Sequence, residues 1–248
     1  MKIFGKSIKG RRSYNQDSIY YLLDSDCYIL AVADGMGGSR GGKTASKTVI
    51  DQCEIIFQNF CKKPAVKELK PTINNICLES QKILKSIVAK NSILLNMGTT
   101  LTIILGYKGN YVVGNIGDSR TYLLNKGSLH QITKDNSYIQ EYADKNNGVE
   151  IDQYMKDKLG HIITKAISAS DEMIDKYPEN SDVFKLEPAS LFLLCSDGFF
   201  PDRSESPDER YIEILEEQIS LEERVEKLMQ LAYDHGSSDN ISIVLGEN

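Results

Sequence analysis

Histidine is scarce in this chain: only His130, His161 and His235 occur in 248 residues. That scarcity argues against a zinc centre built on imidazole. A metal, if bound, has to be held by oxygen, which favours magnesium, manganese or calcium. Cysteine is also sparse. Cys27, Cys53, Cys61, Cys77 and Cys195 are odd in number, scattered, and form no C-x-x-C pair. They read as thiols in a reducing cytosol rather than as a disulfide framework. No apolar run approaches the roughly 20 residues of a membrane span, and the start, Met1 to Ser7, has no apolar core of a signal peptide. Lysine and arginine nowhere cluster, and 29 basic against 35 acidic residues leave a net charge of -6. Nucleic acid and anionic membrane are therefore poor partners. Internal repeats, low-complexity tracts and an inter-domain linker are missing too. With hydrophobic residues at 41%, the expectation is one cytoplasmic domain over residues 1–248 with a sizeable core.

What is present is a succession of short apolar runs. Ser18 to Leu23 and Cys27 to Ala33 read as strands about the turn Asp24-Ser25-Asp26, and the second is apolar enough to be buried on both faces. A glycine-rich loop, Gly35 to Gly42, leads into helical patterns at Lys43 to Phe60 and Thr72 to Lys90. Strands are expected at Thr99 to Tyr107, Asn110 to Ile116, Arg120 to Leu124 and Ser128 to Ile132, with tight-turn breakers between them. Residues 134–160 are polar, weakly patterned and long for a plain loop. Further strands are expected at Ile162 to Ile167, Asp182 to Leu186, Leu191 to Cys195 and Ile241 to Leu245. Helices are expected near Asp208 to Glu217 and Leu221 to Tyr233. Paired helices between groups of strands do not make the βαβ alternation of a parallel sheet; an antiparallel sandwich flanked by helices fits better.

The aspartates stand where such strands begin or end. Asp34, Asp118 and Asp197 follow strands, whereas Asp17 and Asp239 precede them. In antiparallel pairing, starts and ends share an edge, so all five carboxylates can meet on one rim. Gathered carboxylates repel, and either protons or cations must neutralise them. Glycine follows two of them, Asp34-Gly35 and Asp197-Gly198, and lets the backbone come close to a ligand. Two hard cations there would bind a shared water, lower its pKa and aim it at phosphorus. A single Asp-Gly is usually only a turn; the set carries the argument.

The order of motifs resembles the PPM family of metal-dependent protein phosphatases, the type 2C serine/threonine phosphatases, and is especially similar to its compact bacterial members. The blocks are Arg12-Ser13-Tyr14-Asn15-Gln16-Asp17, Asp34-Gly35-Met36-Gly37-Gly38, Gly98-Thr99-Thr100-Leu101, Gly114-Asn115-Ile116-Gly117-Asp118-Ser119-Arg120, Cys195-Ser196-Asp197-Gly198 and Ser238-Asp239-Asn240-Ile241-Ser242. The resemblance implies an α+β fold, an antiparallel β-sandwich with helices on both outer faces (four layers, αββα), and two Mn²⁺ or Mg²⁺ ions at one end. It implies Asp34 as the bridging carboxylate with the Gly35 carbonyl beside it, Asp197 and Asp239 completing the site at one metal, and Asp17 acting through a metal-bound water. Arg12 matches the arginine that grips the substrate phosphate, Asn240 orients Asp239, and residues 134–160 fall where the family has its flap.

Several positions depart from the family pattern. Asn136 stands where histidine is common, His161 replaces a frequent asparagine, and Lys165 replaces a frequent arginine. Met36 occupies the place of a histidine thought to protonate the leaving group in animal members. A third metal, held in many bacterial members by the aspartate matching Asp118 and a second carboxylate, meets Pro201 here, with Asp202 one step later. It is expected to bind weakly. The expected activity is hydrolysis of phosphoserine and phosphothreonine in proteins, by a monomer that opposes a cognate serine/threonine kinase in signalling. The rivals are a non-catalytic PPM-like binding domain, disfavoured because the four aspartates are all present, and a phosphatase of a small phosphorylated molecule.

Overall fold

The computed structural model describes residues 1–146, 153–170, 178–200 and 208–248. Side chains alternate across each central strand, and that alternation builds the layers. In β3 (Cys27–Ala33), Ile29, Ala31 and Ala33 face one way, while Tyr28, Leu30 and Val32 face the other. The first set meets helices and the second meets another sheet, which is why the strand reads as continuously apolar.

One antiparallel sheet runs β11 (Glu179–Asn180), β7 (Asn110–Ile116), β6 (Leu101–Tyr107), β3 and β2 (Ser18–Asp24), with β12 (Phe184–Lys185) also paired to β7. The other runs β1 (Lys2–Ile8), β14 (Ile241–Glu247), β13 (Leu191–Cys195), β8 (Arg120–Asn125) and β9 (Ser128–Gln131). A small third sheet joins β4 (Gly35–Met36), β5 (Gly98–Thr99) and β10 (Ile167–Ser168). Helices α1 (Ser39–Lys62) and α2 (Leu69–Lys90) pack on the first sheet through Val49, Phe57, Ile73 and Ile76. Helices α5 (Glu209–Glu216) and α6 (Leu221–Asp234) pack on the second through Tyr211, Val225 and Leu228. Between the sheets lie Tyr28, Leu30, Tyr111, Phe192, Leu194 and Val244. The architecture is the expected α+β sandwich with helices on both outer faces.

Three readings of local structure are corrected. Strand β1 was not expected: its pattern is broken by Gly5, and β1 is held by full-length pairing to β14, from Lys2↔Glu247 to Ile8↔Ile241. Residues 162–166 form no strand beyond an isolated bridge between Ser137 and Ile163. The Thr164 amide instead donates to the Asn136 carbonyl (2.9 Å), and regular pairing begins only at Ile167. Within 134–160 stand two helices, α3 (Tyr138–Lys145), N-capped by Ser137, and α4 (Gln153–Leu159). Helix α3 buries no side chain, so its sequence carries no buried apolar stripe. Residues 147–152 of that segment, and Pro201 with Asp202, lie outside the described residues.

Gly106 faces Tyr28 across the β3–β6 pair, and a Cβ there would lie 2.0 Å from the ring. The tyrosine covers the space that the glycine leaves. Gly106→Ala should therefore destabilise the protein by about 1–3 kcal/mol through overpacking. The check is a lower urea midpoint at unchanged slope.

Candidate metal centre

The five aspartates converge because sheet register brings them together. Ser18 pairs with Ala33, so Asp17 and Asp34 extend from adjacent strands at the same end. Cys195 pairs with both Ile243 and Arg120, so Asp197 leaves β13 beside the start of β14 and the start of β8. Asp239 lies just before β14. Asp118 sits in the three-residue turn that crosses from β7 of one sheet to β8 of the other. Asp17 and Asp118 are buried, whereas Asp34, Asp197 and Asp239 are half-buried.

Backbone packing sets the floor of the rim. A Cβ on Gly35 would lie 2.1 Å from the Gly42 carbonyl oxygen, and one on Gly42 would lie 2.0 Å from Gln16 Nε2. Only glycines let the Asp34-Gly35 segment rest against the first turn of α1 and the Gln16–Asp17 segment. Helix α1 begins at Ser39, before the expected Lys43, and the Gly42 amide donates to the Gly38 carbonyl (3.0 Å). The Asp34 main chain is held by Thr99 and Thr100. The Thr100 amide (2.9 Å) and Thr99 hydroxyl (2.8 Å) donate to its carbonyl, and its own amide donates to Thr100 Oγ1 (3.0 Å).

The carboxylates are electrostatically strained. Burial, and then the charges of Asp17, Asp197 and Asp118, push Asp34 well above the usual carboxylate range. Burial pushes Asp17 up to about 6, although Ser242 (2.6 Å) and Ser196 (2.8 Å) donate to its Oδ2. Its other oxygen, Oδ1, is buried and has no hydrogen-bond partner among the described residues. A buried carboxylate oxygen without a donor is costly, and a cation or a cation-bound water would meet that need. All the donors gathered here are oxygens, as hard cations require. Among the described residues no group of three or more acidic, histidine or cysteine side chains is already arranged to hold one ion. Hard cations keep several waters and need few direct protein ligands each, so this spacing still fits them.

Two expected contacts take a different form. The Arg12 guanidinium lies against Asp239, Nη2 to Oδ2 at 2.7 Å, so the phosphate-gripping candidate is paired with a metal-ligand candidate. Asn240 reaches Asp239 through its backbone amide (2.8 Å), not its side chain. The side chain instead donates to the Lys9 and Tyr14 carbonyls (2.9 Å each) and accepts from the Gln16 amide (2.9 Å). It therefore clamps the loop that carries Arg12. Its short amide has the reach to cap that loop's backbone, which turns at Arg12 with its amide donating to the Lys9 carbonyl (3.1 Å).

Sequence reading missed other supports. Ser196 and Ser242 sit inside quoted motifs, yet only the β13–β14 pairing reveals their shared target. Arg120 forms a buried, forked contact with Asp135 (Nε at 3.0 Å to both oxygens, Nη2 at 2.6 Å). Next to Asp135, Asn136 holds the turn before Asp118 twice: its Oδ1 accepts from the Gly117 amide (3.0 Å) and its amide donates to the Gly117 carbonyl (2.8 Å). The root of the 134–160 segment is thus fixed to the acidic rim.

A four-layer sandwich with aspartates from both sheets at one rim has the build of the metal-dependent protein phosphatases. The chain belongs to the protein phosphatase 2C family, whose sequence model matches residues 4–234. It is 30% identical over 244 residues to a serine/threonine phosphatase, stp, of Listeria welshimeri, covering 96% of this chain and 92% of that one. Its fold is similar to the crystal structure of the Mycobacterium tuberculosis serine/threonine phosphatase PstP/Ppp, with TM-score 0.83, 28% identity, and coverage of 98% and 97%. It is also similar to the catalytic domain of the serine/threonine protein phosphatase PstP in complex with two manganese ions, with TM-score 0.80, 30% identity, and coverage of 98% and 96%.

The raised Asp17 value predicts a pH dependence of stability in chelator-treated protein. The unfolded carboxyl titrates near 3.9 and the folded one near 6. Between them the native state holds more protons than the unfolded state, so stability falls as pH rises through this window and stays reduced above it. The direction follows from the burial of Asp17 and its acidic neighbours, and Asp34 acts the same way. Urea midpoints between pH 4 and 7 should therefore decline in the wild type and decline less in Asp17→Asn.

Proposed function

We propose that this chain is a serine/threonine protein phosphatase that works with two divalent cations, manganese or magnesium, held at the acidic rim. The observation that carries this reading is the convergence of Asp17, Asp34, Asp197 and Asp239 from separate strands, with the arginine Arg12 beside them. The manganese-bound relative supports the choice of ion. Bound there, the cations would lower the pKa of a water and neutralise the phosphoryl oxygens.

The roles proposed for the chain's own groups follow from their positions. Asp34 is the most central carboxylate, influenced by Asp17, Asp197 and Asp118 together, which supports a bridging role with the Gly35 carbonyl. Asp197 and Asp239 serve one ion, Asp17 acts through water, and Asp118 takes part in a weaker third site. Arg12 is an exposed guanidinium whose fork suits phosphate oxygens. Asn240 positions the Arg12 loop. Met36 supplies no acid for the leaving group. Residues 134–160 act as a flap that influences protein substrates.

Residues 1–248 act as one catalytic domain and as a monomer. Among the described residues no helix is long and apolar enough to cross a membrane. All five cysteines are free, and four are buried. This supports work in a reducing cytoplasm, where the chain would reverse the action of a serine/threonine kinase in signalling.

Purified protein should hydrolyse an aryl phosphate and phosphothreonine peptides with Mn²⁺ or Mg²⁺ and stop when a chelator is added. Asp34→Asn should lose about 10³-fold in kcat by disturbing both ions. Full turnover by metal-stripped protein would overturn the mechanism, and turnover of small phosphates alone would favour a small-molecule phosphatase. Arg12→Ala should lower kcat/KM by about 10- to 100-fold, mainly through KM, if the guanidinium grips ground and transition states alike. Steady-state kinetics at saturating Mn²⁺ provide the check.

A further inference from the structure

The two arginine–aspartate pairs near the rim are built differently. Arg120 and Asp135 meet through three contacts, and their side chains are 11% and 10% exposed. Breaking such a pair strands a buried charge, so it is made to persist. Arg12 touches Asp239 through one nitrogen and one oxygen, with side chains 56% and 37% exposed. Among the described residues this is the one hydrogen bond made by the Arg12 side chain. An exposed, single-point pair contributes little, so it is readily exchanged. Its position is nonetheless held closely. The Asn240 side chain ties the loop on both sides of Arg12, and Asp197 and Asp34 also act on the same guanidinium.

We propose that Arg12 and a divalent cation are alternative occupants of the Asp239 carboxylate: the guanidinium balances that charge before loading, and loading displaces it toward the substrate phosphate. This inference rests on the phosphatase reading and adds an order to it. Metal binding precedes a full phosphate grip, because while Nη2 is turned to Asp239 the guanidinium offers a phosphate only part of its fork. The exchange requires little rearrangement, since the clamp by Asn240 involves main-chain groups of the loop and leaves the Arg12 side chain to swing. Neighbouring Arg11 is a natural control. It carries the same charge one residue away, but its guanidinium lies over the Tyr233 ring (4.7 Å) and donates to the Tyr233 carbonyl (3.3 Å).

The test is calorimetric titration of metal-stripped protein with Mn²⁺ alone, in wild type, Arg12→Gln and Arg11→Gln. Removing the competitor should tighten one class of Mn²⁺ site about two- to fivefold in Arg12→Gln, the size expected from an exposed ion pair. Arg11→Gln should leave the affinity unchanged. In parallel, Mg²⁺ titration followed by guanidinium ¹⁵N resonances should shift Arg12 and not Arg11. If wild type binds two Mn²⁺ but Arg12→Gln binds them with equal or weaker affinity, or Arg11→Gln tightens them as much, the exchange is wrong and the phosphatase reading stands. A wild type that binds no Mn²⁺ would overturn both.

Discussion

Mutual repulsion among the rim carboxylates is the constraint around which this structure is organised. The charges of Asp17, Asp197 and Asp118 push the Asp34 carboxyl up, and that of Asp197 pushes Asp17 up, in a place where burial already disfavours charge. A fold seeking stability alone would spread them apart. Here the strain is concentrated at one end of an otherwise apolar sandwich, as expected of a site meant to be completed by cations.

The scaffold answers that strain mainly with main-chain and hydroxyl contacts, joined by Lys43, whose Nζ donates to the Asp17 carbonyl (2.7 Å). Thr99 and Thr100 fix the Asp34 backbone, Ser196 and Ser242 hold one Asp17 oxygen, and Asn240 clamps the Arg12 loop. Hydroxyls and amides orient a carboxylate without neutralising it, so its affinity for a cation is kept. Among the cations at the rim, Arg12 is held in a weak exposed pair, whereas Arg120 forms a strong buried pair with Asp135. The two pairs divide the work between a movable charge and a fixed strut.

That strut links the rim to the 134–160 segment. Asp135 and Asn136 tie its root to Arg120 and to the Gly117 turn. On the other side, Asn136 donates to Glu179 (3.2 Å), which also pairs with Lys165 (2.9 Å). Asn136 and Lys165, two departures from the family pattern, therefore meet on one carboxylate. Both side chains belong to a single polar cluster.

Much of this was legible in the chain itself. Alternating and continuous apolar runs located most central strands and the four long or medium helices, because period and burial leave a direct trace in residue type. Aspartates at strand ends pointed to a shared rim, since antiparallel order alone puts starts and ends on one edge. Strand β1 escaped notice because its glycine breaks the pattern and its place depends on β14, over 230 residues away. Helix α3 left no apolar trace because it buries no side chain, whereas α5, equally short, buries Tyr211 and Leu215. Side-chain pairings were beyond the sequence altogether: that Arg12 reaches Asp239, that Asn240 holds a loop instead of a carboxylate, and that two serines meet at Asp17. The order of residues determined the class of fold and the acidic character of its rim, because those depend on local pattern and chain direction. Only the tertiary structure decided which groups touch, because a contact depends on the register and crossing of segments distant in sequence, where one residue of slip turns a side chain to the opposite face.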